Sequence, residues 1–412
     1  MPAPFLNARR LRDYPRLIAL ATWGVLGVNT LFHRGWFGGF GGILSFDFLA
    51  MYSAGYMYRH DLLNLYNFQA LAQVEQQIFA PTPMQGGANI FSYPPYVAML
   101  YSPFTHLEYA WAFILWVILS IGAALGAAYL LQRWLVAPQL DRLGLTASQM
   151  VVLVMSFAPV VLGIFLGQNN TLTLLLISLV LVLLLKGHPF WAGLAAGLLV
   201  YKPHFLIGLG IIWLVWKQWR TLLGCALTAG SIAGSLVLLH GIEPYRAYLA
   251  AGADLLYLPQ GTSSMQTTLF ALVASLLPEN ALPGLWVANI GMLLLCCVLL
   301  GWLAYRYRRG EHARALVTGL AILFPFFAAP HSLHYDLVLL LPPLVLWSRH
   351  EQSRPVLWAA IVVYLGAWLL IGLTRPTDIG LLAVLPLGLG ALLAQRLLSL
   401  KRVEPNGLLP TA

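Results

Sequence analysis

A single carboxylate, Asp47, stands between Phe46 and Phe48 just beyond the first apolar run. An apolar surround raises a carboxylate's pKa towards values useful in a general base, which makes Asp47 the leading candidate for taking up a proton. The same position also suits a helix cap, or a loop carboxylate paired with Arg34 or Arg59. Further along, Gly167-Gln168-Asn169-Asn170 places three amide side chains between two apolar stretches. Those amides could hydrogen-bond sugar hydroxyls, or Asn170 could cap the following helix. Lys202, ahead of Pro203, lies among apolar segments, where an ammonium is expensive and calls for an anionic partner unless it snorkels to the surface. His331-Ser332-Leu333-His334-Tyr335-Asp336 packs two imidazoles, a phenol and a carboxylate into one short stretch. His331 and His334 share a face if that stretch is helical. One such pair without a thiolate is weak support for zinc, so neither a metal nor a cofactor is expected; phosphate binding or a hydrogen-bond network fits better. Arg375, before Pro376, completes this set of candidate cations.

The elements that must carry these groups are membrane helices. The chain is 60% hydrophobic and 9% charged over 412 residues, with a mean hydropathy of +0.78. Soluble domains carry about 25% charged residues, and long Leu-rich runs without strand alternation leave helices as the way to satisfy a backbone in lipid. The net charge of +9 comes from basic residues scattered in short loops, which argues against a nucleic-acid partner. Cys225, Cys296 and Cys297 lie in apolar runs and imply neither a disulfide framework nor zinc. Arg9, Arg10, Arg12 and Arg16 before an apolar run resemble a signal peptide, but no convincing small-residue cleavage site follows, so a retained first helix is expected.

Hydropathy and charge together give about 12 spans: 16–33, 109–131, 148–166, 170–185, 188–200, 204–216, 221–240, 283–305, 314–329, 335–347, 355–372 and 379–396. Residues 95–107 and 268–277 are expected to dip or lie flat without crossing. With both termini cytoplasmic, every Lys and Arg except Arg34, Arg59, Lys202, Arg246 and Arg375 falls on the cytoplasmic side. Nearly every polar motif falls on the other. The first outer loop, 34–94, opens on a glycine cluster and continues with an amphipathic pattern over 49–79 that reads as interfacial helices. A second outer stretch covers 241–268. The whole of 1–412 reads as one integral membrane domain in the plasma (inner) membrane.

The order of these motifs resembles glycosyltransferase family 87, a family that contains polyprenyl-phosphate-mannose-dependent mannosyltransferases. The resemblance is carried by Phe46-Asp47-Phe48 with Tyr52 and Ala54, Leu65-Tyr66, Phe91-Ser92-Tyr93-Pro94-Pro95, Gly167-Gln168-Asn169, Lys202-Pro203 and His334-Tyr335-Asp336-Leu337. It implies the multi-helix fold of the GT-C membrane glycosyltransferases, a polyprenyl-phosphate-linked sugar as donor and a lipid or glycan as acceptor. It implies Asp47 as the base of an inverting transfer, with Lys202, His331 and His334 at the donor phosphate. Positive charge stabilises a departing phosphate, and Arg375 can join that group. Tyr52, Tyr93, Gln168, Asn169 and Asp336 are the candidates for sugar or acceptor binding; the tyrosines also suit an ordinary interfacial belt. Asp47 is not part of an Asp-x-Asp pair, so metal assistance is unsupported. Mannose is the sugar by resemblance, with arabinose or glucose as alternatives.

Two other readings suit a polytopic basic chain. A secondary transporter or lipid-linked sugar flippase would place polar groups near mid-membrane and often shows repeated halves; here the groups sit at outer ends and no repeat is evident. A ligase or polymerase of surface polysaccharide would have a longer late outer loop than 241–268.

Overall fold

A computed structural model describes residues 8–32, 45–80, 89, 91–136, 147–255, 264–351, 353–377 and 379–400. The glycine cluster at 35–42, Arg34, and part of the 241–268 stretch lie outside these residues.

Among the described residues every regular element is helical, and the one β feature is an isolated antiparallel bridge between Gln266 and Leu333. The chain begins with α1 (Ala8–Leu31), α2 (Phe46–His60), α3 (Phe68–Phe79), α4 (Pro95–Tyr101) and α5 (Tyr109–Leu130). Then come α6 (Ala147–Met155), α7 (Ala158–Leu166), α8 (Asn170–Leu185) and α9 (Pro189–Gly197). The next group is α10 (His204–Val215), α11 (Trp219–His240), α12 (Glu243–Leu255) and the one-turn-plus α13 (Leu269–Ala274). The last five are α14 (Leu282–Arg306), α15 (Glu311–Ala328), α16 (Leu341–His350), α17 (Arg354–Thr377) and α18 (Val384–Ser399).

Among the described residues, six helices are long and apolar enough to cross a bilayer: Tyr109–Trp134, Trp219–His240, Leu282–Arg306, Glu311–Ala328, Arg354–Leu373 and Leu381–Ser399. Each coincides with an expected span to within a few residues. The pair α6 and α7, bent by 61° at Ser156-Phe157, raises the count to seven if it is one broken span. The expectation of about 12 spans is therefore not met by helix length. A straight crossing needs about 20 residues, whereas α8 has 16, α9 has 9 and α10 has 12. The first expected span, 16–33, overlaps α1, which is long but diluted by Arg16, Asn29 and Thr30 and is not among the six. Residues 335–347 are half a 3₁₀ turn, His334–Leu340, and half α16. Apolar composition reports burial from water, and it reads alike for a span and for a short helix enclosed by others. Residues 95–101 and 269–274 form helices of 7 and 6 residues, too short to cross.

The chain divides into two units. The first takes residues up to Pro203 and then Leu223–Thr262. In it α5 lies along α8 and α6, and α2 packs on α3 and α4. Gly55 of α2 lets the α4 backbone approach: a Cβ there would meet the Tyr101 carbonyl carbon at 2.8 Å. The second unit takes His204–Leu222 and Ser263 onwards. Its centre is α15, packed by α10, α14, α16 and α18. The buried share is 72% for α15 but 11% for α14, so α15 is the enclosed helix and α14 presents most of its length outward. Gly208 of α10 sits directly on the Ala321 carbonyl of α15.

Candidate active site

Asp47 occupies the first turn of α2, where a carboxylate is favoured by the helix dipole. It is half-buried, and its Oδ2 is closed off from solvent. The residue that starts this helix, Ser45, is held at φ 60° and ψ 30°, a left-handed conformation costing a non-glycine residue about 1–3 kcal/mol. Tyr109 maintains it. Its hydroxyl lies 2.7 Å from Ser45 Oγ and donates to the Ser45 carbonyl at 3.2 Å.

The amide turn lies against the same helix. α7 ends on Gly167, at φ 76°, with Gln168 N–H bonded to the Gly163 carbonyl (2.7 Å) and Gly167 N–H to that of Ile164 (3.2 Å). This is the Schellman pattern, which needs a residue tolerant of left-handed backbone. Glycine is required twice over, because a Cβ at 167 would collide with Cβ of Phe48, the residue after Asp47. Beyond it, Asn170 Nδ2 donates to the Pro159 carbonyl at 2.8 Å and so ties the turn back to α7. Asn169 is buried, and among the described residues neither polar atom of its amide completes a hydrogen bond, although the Tyr101 hydroxyl lies close. A buried amide without partners costs about 1–3 kcal/mol. Tyr93 reaches the turn at long range, its hydroxyl 3.5 Å from Gln168 Oε1.

The turn leads on to Lys202. Thr173 Oγ1, one turn into α8, is 2.8 Å from the Tyr201 hydroxyl. Tyr96 donates to the Val200 carbonyl at 2.9 Å, and Lys202 N–H closes the 3₁₀ turn onto Leu199 at 2.9 Å. The Lys202 side chain is buried. One unit therefore links three of the sequence motifs through contacts: Asp47, the Gln168–Asn169 turn and Lys202. Tyr52 belongs to the same unit in a different role, since its ring sits edge-on to Tyr109 and its hydroxyl donates to the Leu107 carbonyl at 2.8 Å.

The remaining motif residues lie in the second unit. The stretch from His331 is pinned by Thr267, whose N–H (2.8 Å) and Oγ1 (3.1 Å) both donate to the Ser332 carbonyl. Asp336 Oδ2 accepts from Leu333 N–H (3.0 Å) and Ser332 Oγ (3.2 Å), so this carboxylate caps its own turn. His334 is buried beside Tyr335, while His331 is half-buried. Arg375 falls within α17, but its side chain is outside the described residues.

Sequence reasoning passed over two groups here. Tyr109 looks like one more aromatic at the mouth of a span. Glu75 lies on α3 with no exposed surface, and burial pushes its carboxyl up to about 7 against the lowering effect of the Asn89 N–H. Only tertiary structure shows where either points.

A helical membrane protein with a carboxylate, unsatisfied amide and buried cation gathered in one unit has the parts of a group-transfer enzyme. The sequence matches the model of glycosyltransferase family 87 over residues 91–330, more than half the chain, and the protein belongs to that family. It is a membrane glycosyltransferase. The matched region includes Tyr93, Gln168, Asn169 and Lys202; Asp47, His331 and His334 lie outside it. No curated protein and no solved structure matches the chain.

Proposed function

We propose that this glycosyltransferase moves a hexose, mannose by family resemblance, from a polyprenyl-phosphate donor to a lipid or glycan acceptor. Asp47 takes the proton from the acceptor hydroxyl. The oxygen attacks the anomeric carbon as its bond to the phosphate oxygen breaks, and polyprenyl phosphate departs with the bonding electrons. One displacement inverts the anomeric centre. Lys202 offsets the charge growing on the leaving phosphate, with His331, His334 and Arg375 as the further cations assigned to it. Asn169 and Gln168, with Tyr93, are the groups for sugar or acceptor hydroxyls. Tyr52 and Asp336 belong to that set by motif, though Tyr52's hydroxyl and Asp336 Oδ2 are already engaged in local hydrogen bonds. On the layout of about 12 spans, the segregation of Lys and Arg supports an extracytoplasmic active site in the plasma membrane, with both termini cytoplasmic.

The observation that carries this reading is the packing of the Gly167 turn onto the helix of Asp47, with an unsatisfied Asn169 beside it. Family membership decides against the transporter reading. The test is transfer from radiolabelled polyprenyl-phosphate mannose into a membrane lipid extract by purified enzyme. Asp47→Asn should lower the rate by about 10²–10⁴-fold, the usual worth of a positioned base. Full activity in Asp47→Asn would remove the base assignment, and transfer only from a pyrophosphate-linked oligosaccharide would replace the donor with that of a ligase.

A further inference from the structure

The buried face of α3 consists of Leu71, Glu75 and Phe79, so a carboxyl stands in the middle of an apolar stripe. Such burial is costly unless the group is hydrogen-bonded. Half of it is. Glu75 Oε2 accepts the Asn89 N–H at 2.9 Å, while Oε1, equally hidden from solvent, makes no hydrogen bond among the described residues. No cation pairs with it among those residues. Plain stability would be better served by an apolar side chain of similar volume.

Its one hydrogen bond leads to the candidate base. Asn89, itself buried, uses its side-chain Nδ2 to donate to the Phe46 carbonyl at 2.7 Å. Phe46 is the first residue of α2 and directly precedes Asp47. From the other side, Tyr109 holds Ser45 in its left-handed conformation, and the Tyr109 ring also lies 6.3 Å from that of Phe79 on α3. The start of α2 is thus gripped at two consecutive residues, by Asn89 at 46 and Tyr109 at 45.

We infer that Glu75 is a positioning residue for the transfer: through Asn89 it fixes the first turn of α2 and so the aim of Asp47. This rests on reading Asp47 as the base. Glu75 needs to supply only an acceptor oxygen, a requirement that glutamine also meets.

The experiment measures kcat and donor KM for Glu75→Gln, Glu75→Leu, Asn89→Ala, Asp47→Asn and the double variant Asp47→Asn/Glu75→Leu, all in purified full-length protein. Glu75→Leu and Asn89→Ala should each lower kcat about 10- to 100-fold while leaving KM within about twofold, because a small misplacement of a reacting group costs that much. Glu75→Gln should stay within about threefold of wild type, and Glu75→Leu should add nothing to the residual rate of Asp47→Asn. Should Glu75→Leu fail to fold, Asn89→Ala alone breaks the same link. Wild-type kcat in both Glu75→Leu and Asn89→Ala, with Asp47→Asn inactive, would overturn the positioning role and leave the base standing. So would an undiminished loss on the Asp47→Asn background. Full activity of Asp47→Asn would instead remove the base on which the role depends.

Discussion

The protonation of Glu75 makes this protein's stability depend on pH in a way that one substitution should erase. Unfolded, the carboxyl titrates at 4.5; folded, burial holds it at about 7. The folded state then binds the extra proton, so stability is greatest below 4.5 and is lost as pH rises through the folded value. The gap from 4.5 to about 7 corresponds to about 3 kcal/mol, at about 1.36 kcal/mol per pH unit. Of this, about 2 kcal/mol falls between about pH 5.5 and about pH 8.5. Glu75→Gln carries no titrating proton and should escape the loss. The assay is thermal unfolding in detergent at the two pH values, followed by tryptophan fluorescence. Relative to wild type, the variant should gain a few degrees in apparent Tm on going to the higher pH. An unchanged difference between the two proteins at both pH values would mean that Glu75 does not titrate in this range, and the account of its burial would fail.

Gly167→Ala combines left-handed strain with a collision at Phe48 and should destabilise by about 2–4 kcal/mol, read as a fall in apparent Tm and in transfer rate. Gly187→Ala is its control: φ is 74° but a Cβ there meets nothing within 4 Å, so the cost should stay near about 1 kcal/mol. Asp336→Ala removes the acceptor for Leu333 N–H and Ser332 Oγ and should cost about 1–2 kcal/mol of stability, checked by the same melts.

The class of the protein and its longest helices were legible because composition and unbroken apolar length report directly on a bilayer. Spans expected at 109–131, 221–240 and 283–305 correspond to Tyr109–Trp134, Trp219–His240 and Leu282–Arg306. The shorter apolar runs are where the count of about 12 finds no support, since α8, α9 and α10 are just as hydrophobic but shorter than a straight crossing. Their limits at the Gly167 and Lys202 turns fall where the expected spans 148–166, 170–185, 188–200 and 204–216 break, so the helix ends were legible there. At the candidate site, Asp47, Asn169 and Lys202 are conspicuous as polar residues in apolar surroundings. Glu75 is not, because Gln69, Gln73, Gln76 and Gln77 share its amphipathic helix. In that company a lone carboxylate reads as one more solvated side chain. The contact that brings Asn89 to the Phe46 carbonyl joins residues 43 positions apart, and no local pattern encodes it.

The missing side chain at Gly167 has one last effect. Because the backbone there rests on Phe48, the amide turn and the helix of Asp47 are spaced by a contact that has no slack. The two pieces cannot be drawn closer or given a side chain at 167 without one of them moving, so a bulkier residue there would shift the first turn of α2 as well as the turn itself.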